Sequence, residues 1–255
     1  MPEQGALPPD TGYYVYGVVG DVERERPALT GIDGQDVEYV AHDDIAAVVS
    51  TFVLDRPAGR RAELMAHSTV LEAMAADGPV VPVQFGSVLA DRDAVLSDLL
   101  EPGRERFAEL LARLRGTRQY NLRATYVEER VLAEIVRSRP DIATLGQRTR
   151  ELPEGAMHPD LVRLGELVSQ AMDAKRADDA DQILDVVVPL VVADAPRGGG
   201  GVDHLLDVAV LVDETRVPQM EEALEGLAEM MHDRIRLRLT GPVPPYDFVE
   251  VDRWG

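Results

Sequence analysis

The spacing of apolar and polar positions along the chain predicts strands and helices in mixed order. Residues 13–19, aromatic and β-branched and closed by Gly20-Asp21, read as a first strand. Residues 21–34, with Pro27, Gly31 and Gly34, read as loop. Residues 37–41 and 45–52 read as two further strands joined by a hairpin turn at His42-Asp43-Asp44. Over 60–76, Leu64, His67, Leu71 and Met74 recur on one helical face. The dense apolar run 79–88 follows and reads as a short buried strand and a sharp turn. Pro79 and Pro82 suit a strand's start or edge, where a missing N–H breaks no ladder bond, and Gly86 suits the turn. Beyond it the pattern predicts a short helix over 91–100, a break at Pro102-Gly103, and a helix over 104–115 ended by Gly116.

A second unit begins there. Residues 119–127 alternate, with Tyr120, Leu122, Ala124 and Tyr126 on one face and Gln119, Asn121, Arg123 and Thr125 on the other. A helix over 128–138 stops at Pro140. The stretch 144–159, punctuated by Pro153, Gly155 and Pro159, fits no single class. A long helix over 160–190, with Leu161, Leu164 and Val168 inward, kinks or ends at Pro189. Ala195-Pro196-Arg197 and the glycines 198–201 read as flexible loop. Residues 205–212 read as a buried strand, Thr215 as a cap and Pro218 as the first turn of a helix facing inward through Met220, Leu224, Leu227 and Met231. Ile235, Leu237 and Leu239 alternate with Arg236, Arg238 and Thr240 in a last strand. The expected fold class is α+β in two domains. Residues 1–116 form a small mixed unit. Residues 117–240 form a ferredoxin-like sheet with helices on one face and a long helical insert. Residues 241–255 are a tail packing back on the protein through Tyr246, Phe248, Val249 and Trp254.

Composition narrows the function classes. A chain of 255 residues buries a sizeable core. Its formal net charge of −20 repels phosphate backbones and anionic headgroups, so nucleic acid and membrane surfaces are not expected partners. No cysteine is present, which removes disulfides and thiolate metal sites and fits a cytoplasmic setting. Residues 1–12 lack the pattern of a secretion signal, and no apolar run reaches the roughly 18 residues of a membrane span. Basic charge is nearly all arginine, with Lys175 the single lysine.

Candidate chemistry is sparse. The consecutive glycines 198–201 lack the spacing and lysine of a phosphate loop. Asp173, Asp178, Asp179, Asp181 and Asp185 read as a solvated helix face, without the ligand spacing of a calcium loop. Of His42, His67, His158, His204 and His232, no two stand at i, i+4, and His67 reads as a partly buried, hydrogen-bonded side chain. No nucleophile elbow is present. No catalytic residue, metal or cofactor is expected. Arg123, Arg236 and Arg238 point outward from two strands of one sheet. Either they pair with local carboxylates, or they form a basic patch that binds an acidic partner.

Several stretches together resemble the gas vesicle protein F/L family. They are Tyr14-Val15-Tyr16-Gly17-Val18, Gly31-Ile32-Asp33-Gly34, Asp44-Ile45-Ala46-Ala47-Val48-Val49-Ser50 and His67 four residues before Leu71-Glu72. To these add Pro82-Val83-Gln84-Phe85-Gly86-Ser87-Val88, the family's most recognisable strand, and Thr240-Gly241-Pro242-Val243-Pro244-Pro245-Tyr246-Asp247-Phe248-Val249. The chain departs from the pattern at Gln84, where the family favours arginine, and at Val243, where tryptophan is common. The resemblance makes His67, Pro82, Phe85, Gly86, Gly241, Pro242, Pro245, Tyr246 and Phe248 structural signature positions. It implies a non-enzymatic accessory protein of gas vesicle assembly, two-domain and α+β, with a ferredoxin-like C-terminal domain. The implied partners are the small apolar shell protein and other accessory proteins, and the implied location is the cytoplasm, on gas vesicles. The rival class is an enzyme or a small-ligand-binding regulator on a ferredoxin-like scaffold.

Overall fold

Strand β1 (Thr11–Gly20) lies inside the first of two sheets and is buried at every position between its ends. That burial needs cover on both faces, and a run of aromatic and β-branched residues supplies it. The computed structural model describes residues 10–22, 28–55, 57–150, 158–201 and 203–249. They divide into two compact units, one running up to Gln119 and resuming at Pro242, the other Tyr120–Gly241. The reading of 1–9 as lacking a secretion signal, the loop reading of 23–27 and the anchor Trp254 fall outside the described residues.

In the first unit, β2 (Val37–His42) pairs with β3 (Ile45–Val53), β3 with β1, and β1 with β4 (Val80–Pro82) and β5 (Val88–Leu89), all antiparallel. The β2–β3 turn holds Asp43 at φ 52°, a conformation aspartate tolerates better than most residues. Helix α1 (Arg61–Asp77) packs Val70, Leu71 and Met74 against Tyr14, Tyr16, Val48 and Phe52. Its inward face starts at Glu63, and Leu64, expected inward, is 47 % exposed. The reason is the helix start, where Glu63 Oε2 accepts the N–H groups of Gly59 and Arg60 at 2.8 Å each.

The run 79–88 opens with the short buried strand β4, turns at Phe85-Gly86 as expected and ends in β5 at Val88, while one further expectation changes in this unit. Pro82 ends β4 on the edge of the sheet, where it breaks no ladder bond. The two helices expected around Pro102-Gly103 are one run: α2 (Arg92–Ala94), a π stretch Val95–Leu100, and α3 (Glu101–Leu114). The Glu101 N–H reaches back to the Leu96 carbonyl, and this wider turn admits a proline that has no N–H to give. Buried Val95, Leu99, Leu100 and Phe107 hold the run on the protein.

The second unit runs β6 (Thr117–Tyr126), α4 (Glu128–Ser138), α5 (Pro140–Thr149), α6 (Pro159–Val187), β7 (Ala193–Pro196), β8 (His204–Asp213), α7 (Val217–Met231) and β9 (Ile235–Val243). The sheet order is β7-β8-β6-β9. Its core joins Leu122, Ala124, Val208, Val210 and Val212 to Val131, Ile142, Ile183, Met220 and Leu227, so four helices cover the same face. Residues 193–196, expected partly as loop, are an edge strand ending in Pro196, again a position where proline costs no ladder bond. Asp213, not Thr215, caps the next helical segment: its Oδ1 accepts the Thr215 N–H at 2.8 Å. Among the described residues no helix is long and apolar enough to cross a membrane.

Candidate functional site

Four of the signature positions meet at one imidazole. α1 presents His67 to the sheet and leaves it 2 % exposed. Its Nδ1 lies 2.9 Å from the Tyr14 hydroxyl of β1, and its Nε2 lies 2.7 Å from the Tyr246 hydroxyl. Phe85 stands edge-on to the imidazole at 5.5 Å, and Tyr16 stacks on it at 5.7 Å. Gly86, at φ 93°, donates its N–H to the Tyr14 hydroxyl at 3.0 Å. Each ring nitrogen faces one hydroxyl, so in the neutral imidazole one nitrogen donates its proton and the other accepts one. Burial holds the His67 pKa down to about 4 and pushes the Tyr14 and Tyr246 hydroxyls up, so all three are uncharged near neutrality. Beside them the Tyr16 hydroxyl meets Ser50 Oγ at 2.8 Å and accepts the Ile32 N–H at 2.8 Å. With both ring nitrogens engaged, His67 fastens segments together and leaves no lone pair for a metal.

The remaining signature positions lie around this centre or lead to it. Pro82 is buried opposite Gly17 of β1. Gly241 and Pro242 are exposed near the end of β9. Buried Pro245 opens a short 3-10 turn, Tyr246–Phe248, in which Phe248 is half-buried. The Tyr246 ring stays 38 % exposed while its hydroxyl end reaches inward to His67. Asp247 is held twice by Gln119: its carboxylate accepts the side-chain amide, and its N–H donates to Gln119 Oε1 at 3.3 Å.

In the second unit, β6 and β9 are neighbours, and Arg123, Arg236 and Arg238 all project from the face opposite the core. Their surroundings differ. Arg123 grips Asp207 of β8 through Nε at 3.0 Å and Nη2 at 2.6 Å, and Arg197 approaches the same carboxylate at 3.4 Å. Arg236 and Arg238 are exposed and carry no ion pair among the described residues. Of the five aspartates read as a solvated face, Asp179 departs from it: it is 1 % exposed. It accepts the Tyr126 hydroxyl at 2.8 Å, pairs with Arg234, and has Lys175 at 3.7 Å, while Lys175 also holds Glu134 at 2.8 Å. Helical periodicity around charged residues gave no hint of this, because every cation but Lys175 comes from elsewhere in the chain. Elsewhere in the first unit a cleft of about 550 Å³ is lined by Asp21, Asp44 and Arg115 among glycine and aliphatic residues. Among the described residues no three acidic or histidine side chains are placed to hold a metal ion.

Comparison with known proteins decides the family. The profile described as "Gas vesicle synthesis protein GvpL/GvpF" matches residues 12–250. The chain belongs to the GvpL/GvpF family. Gas vesicle protein F of Streptomyces sp. (strain CB03234) is 32% identical over 93% of this chain and 99% of its own length. Gas vesicle protein L of the same organism is 25% identical over 93% of this chain and 92% of its own length. The crystal structure of GvpF from Anabaena sp. PCC7120 superposes with a TM-score of 0.84 at 22% identity, covering 95% of this chain and all of that one. At that identity the likeness is one of fold: a mixed α+β protein with two sheets. In this GvpL/GvpF member, the resemblance-bearing positions His67, Phe85, Gly86 and Tyr246 are thus neighbours in space, although Tyr246 stands 179 residues from His67 in sequence.

Proposed function

We propose that this chain is a non-catalytic accessory protein of gas vesicle assembly, located in the cytoplasm on nascent or finished vesicles. The observation that carries the reading is the family match across residues 12–250. Its partners in this reading are the small apolar shell protein and other accessory proteins of the same machinery. An acidic adaptor of net charge −20 resists self-association and can keep an aggregation-prone apolar subunit dispersed until it joins the shell. The surface we assign to the partner is the arginine face of β9. Arg236 and Arg238 form it, and Arg123, tied to Asp207, contributes less. The higher identity to gas vesicle protein F than to gas vesicle protein L of one organism favours the F branch. We further read the second unit as a ferredoxin-like domain, supported by its order β7-β8-β6-β9 with helices before β7 and before β9.

The test is reconstitution in a cell carrying a gas vesicle gene cluster from which the native F protein has been removed. Supplying this chain should restore light-scattering, pressure-collapsible vesicles, and the tagged chain should retain the shell protein in pull-downs. Arg236→Glu with Arg238→Glu should weaken that retention by about tenfold at low salt and leave folding intact, since exposed charges add little to stability. Unchanged retention by the double variant would remove β9 as the contact surface. Turnover of a metabolite by the purified chain would favour the enzyme class instead.

A further inference from the structure

One end of the second sheet is chemically unlike the other. The β7 edge is four residues long, ends in Pro196 and shows Asp194 to solvent, the blunting by charge and proline common at free edges. The β9 edge is nine residues long and carries no proline before Pro242. The Arg234 carbonyl accepts the Val127 N–H at 2.8 Å on the β6 side. The alternation of an extended strand then turns the N–H and C=O groups of Leu237 and Leu239 to the open side. Among the described residues no backbone hydrogen bond from outside the sheet reaches β9. Leu237 and Leu239 lean on the core, and Arg236 and Arg238 stand on the other face without ion pairs among the described residues.

We propose that the β9 edge accepts an extended acidic segment of a partner protein, which joins the sheet as a further strand. Main-chain bonds to Leu237 and Leu239 supply the general attraction. Carboxylates at alternate positions of the incoming segment face Arg236 and Arg238 as cross-strand pairs, and the apolar residues between them extend the row begun by Leu237 and Leu239. The occupant is a partner and not a second copy of this chain. Antiparallel pairing of two β9 edges sets arginine against arginine, and two molecules each of charge −20 repel. The proposal rests on the assignment of Arg236 and Arg238 to a partner surface and adds the mode of contact.

The probe is a fluorescein-labelled peptide alternating valine and glutamate, titrated against the full-length protein by anisotropy. Three comparison peptides replace glutamate with lysine, N-methylate alternate peptide bonds at unchanged charge, or scramble the order. Hydrogen exchange follows the amides of Leu237 and Leu239. The valine–glutamate peptide should bind, the other three should bind at least about tenfold more weakly, and both amides should gain protection on binding. Arg236→Glu with Arg238→Glu should reverse the preference toward the lysine peptide. Equal binding of the N-methylated peptide, or unprotected β9 amides, would overturn strand addition. Shell-protein retention on the same double variant is measured in parallel. If retention falls while the amides stay unprotected, the arginine surface stands and strand addition does not. If the peptide adds to β9 while retention is unchanged, strand addition stands and the shell protein is not its occupant. A dimer in sedimentation that the double variant abolishes would replace the partner with a second copy and overturn the proposal.

Discussion

The imidazole of His67 joins hydroxyls from β1 and from the segment after β9, and its burial favours the neutral form. Its pKa is held down to about 4 by burial, against 6.5 for the free side chain. Between those values the unfolded chain binds a proton that the folded chain does not. Stability therefore rises with pH across this window: the contribution is fully present above about 6.5 and lost as pH falls toward about 4. The full shift corresponds to roughly 3 kcal/mol. Urea unfolding at pH 7 and 4.5 should show a loss about 2 kcal/mol larger in the parent than in His67→Gln. Equal losses would mean that His67 does not titrate on unfolding. Tyr246→Phe strands Nε2 without its partner and should cost about 1–3 kcal/mol in the same assay. At Asp179 the charge itself is the structural element. Asp179→Asn leaves Arg234 facing a neutral amide in a buried place and should cost about 3 kcal/mol, whereas Asp178→Asn and Asp181→Asn, both exposed, should stay within about 0.5 kcal/mol.

At the scale of elements, the segment Tyr246–Phe248 behaves as a clasp on the first unit, fixed by His67, by Gln119 and by buried Val249. Ending the chain before Pro244 should lower the melting temperature by about 5–10 °C in differential scanning calorimetry, because it uncovers apolar surface and orphans two polar groups. An unchanged melting temperature would show the clasp to be ornamental. The strands β1, β3, β6, β8 and β9 were legible in sequence, because continuous or alternating apolar runs report burial without knowledge of neighbours. The π stretch was not. Pro102-Gly103 is locally a stop signal, and only the burial of Leu99, Leu100 and Phe107 carries the helix through it. Strand β7 was hidden for a related reason: Ala193–Pro196 has no strand pattern until β8 lies beside it. The candidate site was legible as a set of residues through resemblance alone. Nothing local connects His67 to Tyr246, and Asp179 looks like its exposed neighbours until Tyr126 and Arg234 arrive from distant strands.

For the whole molecule the dominant quantity is a net charge of −20. Self-repulsion at that charge is relieved by counterions, so raising sodium chloride from about 0.02 to about 0.5 M should raise the melting temperature. The same change should weaken capture of an acidic partner by Arg236 and Arg238, so stability and binding move in opposite directions on one salt axis. A melting temperature indifferent to salt would mean that the uncompensated acidic charges lie too far apart to repel one another appreciably. The division of the first unit between residues up to Gln119 and residues from Pro242 has a consequence for biosynthesis. A ribosome makes most of that unit first, then the whole of Tyr120–Gly241, and only at the end the residues that close the clasp on His67. The second unit can reach its native contacts while the earlier-made one waits open, its imidazole still lacking a partner. A chain released early would carry a finished second unit beside an unsealed first one, and so be distinguishable to proteases from a chain translated to completion.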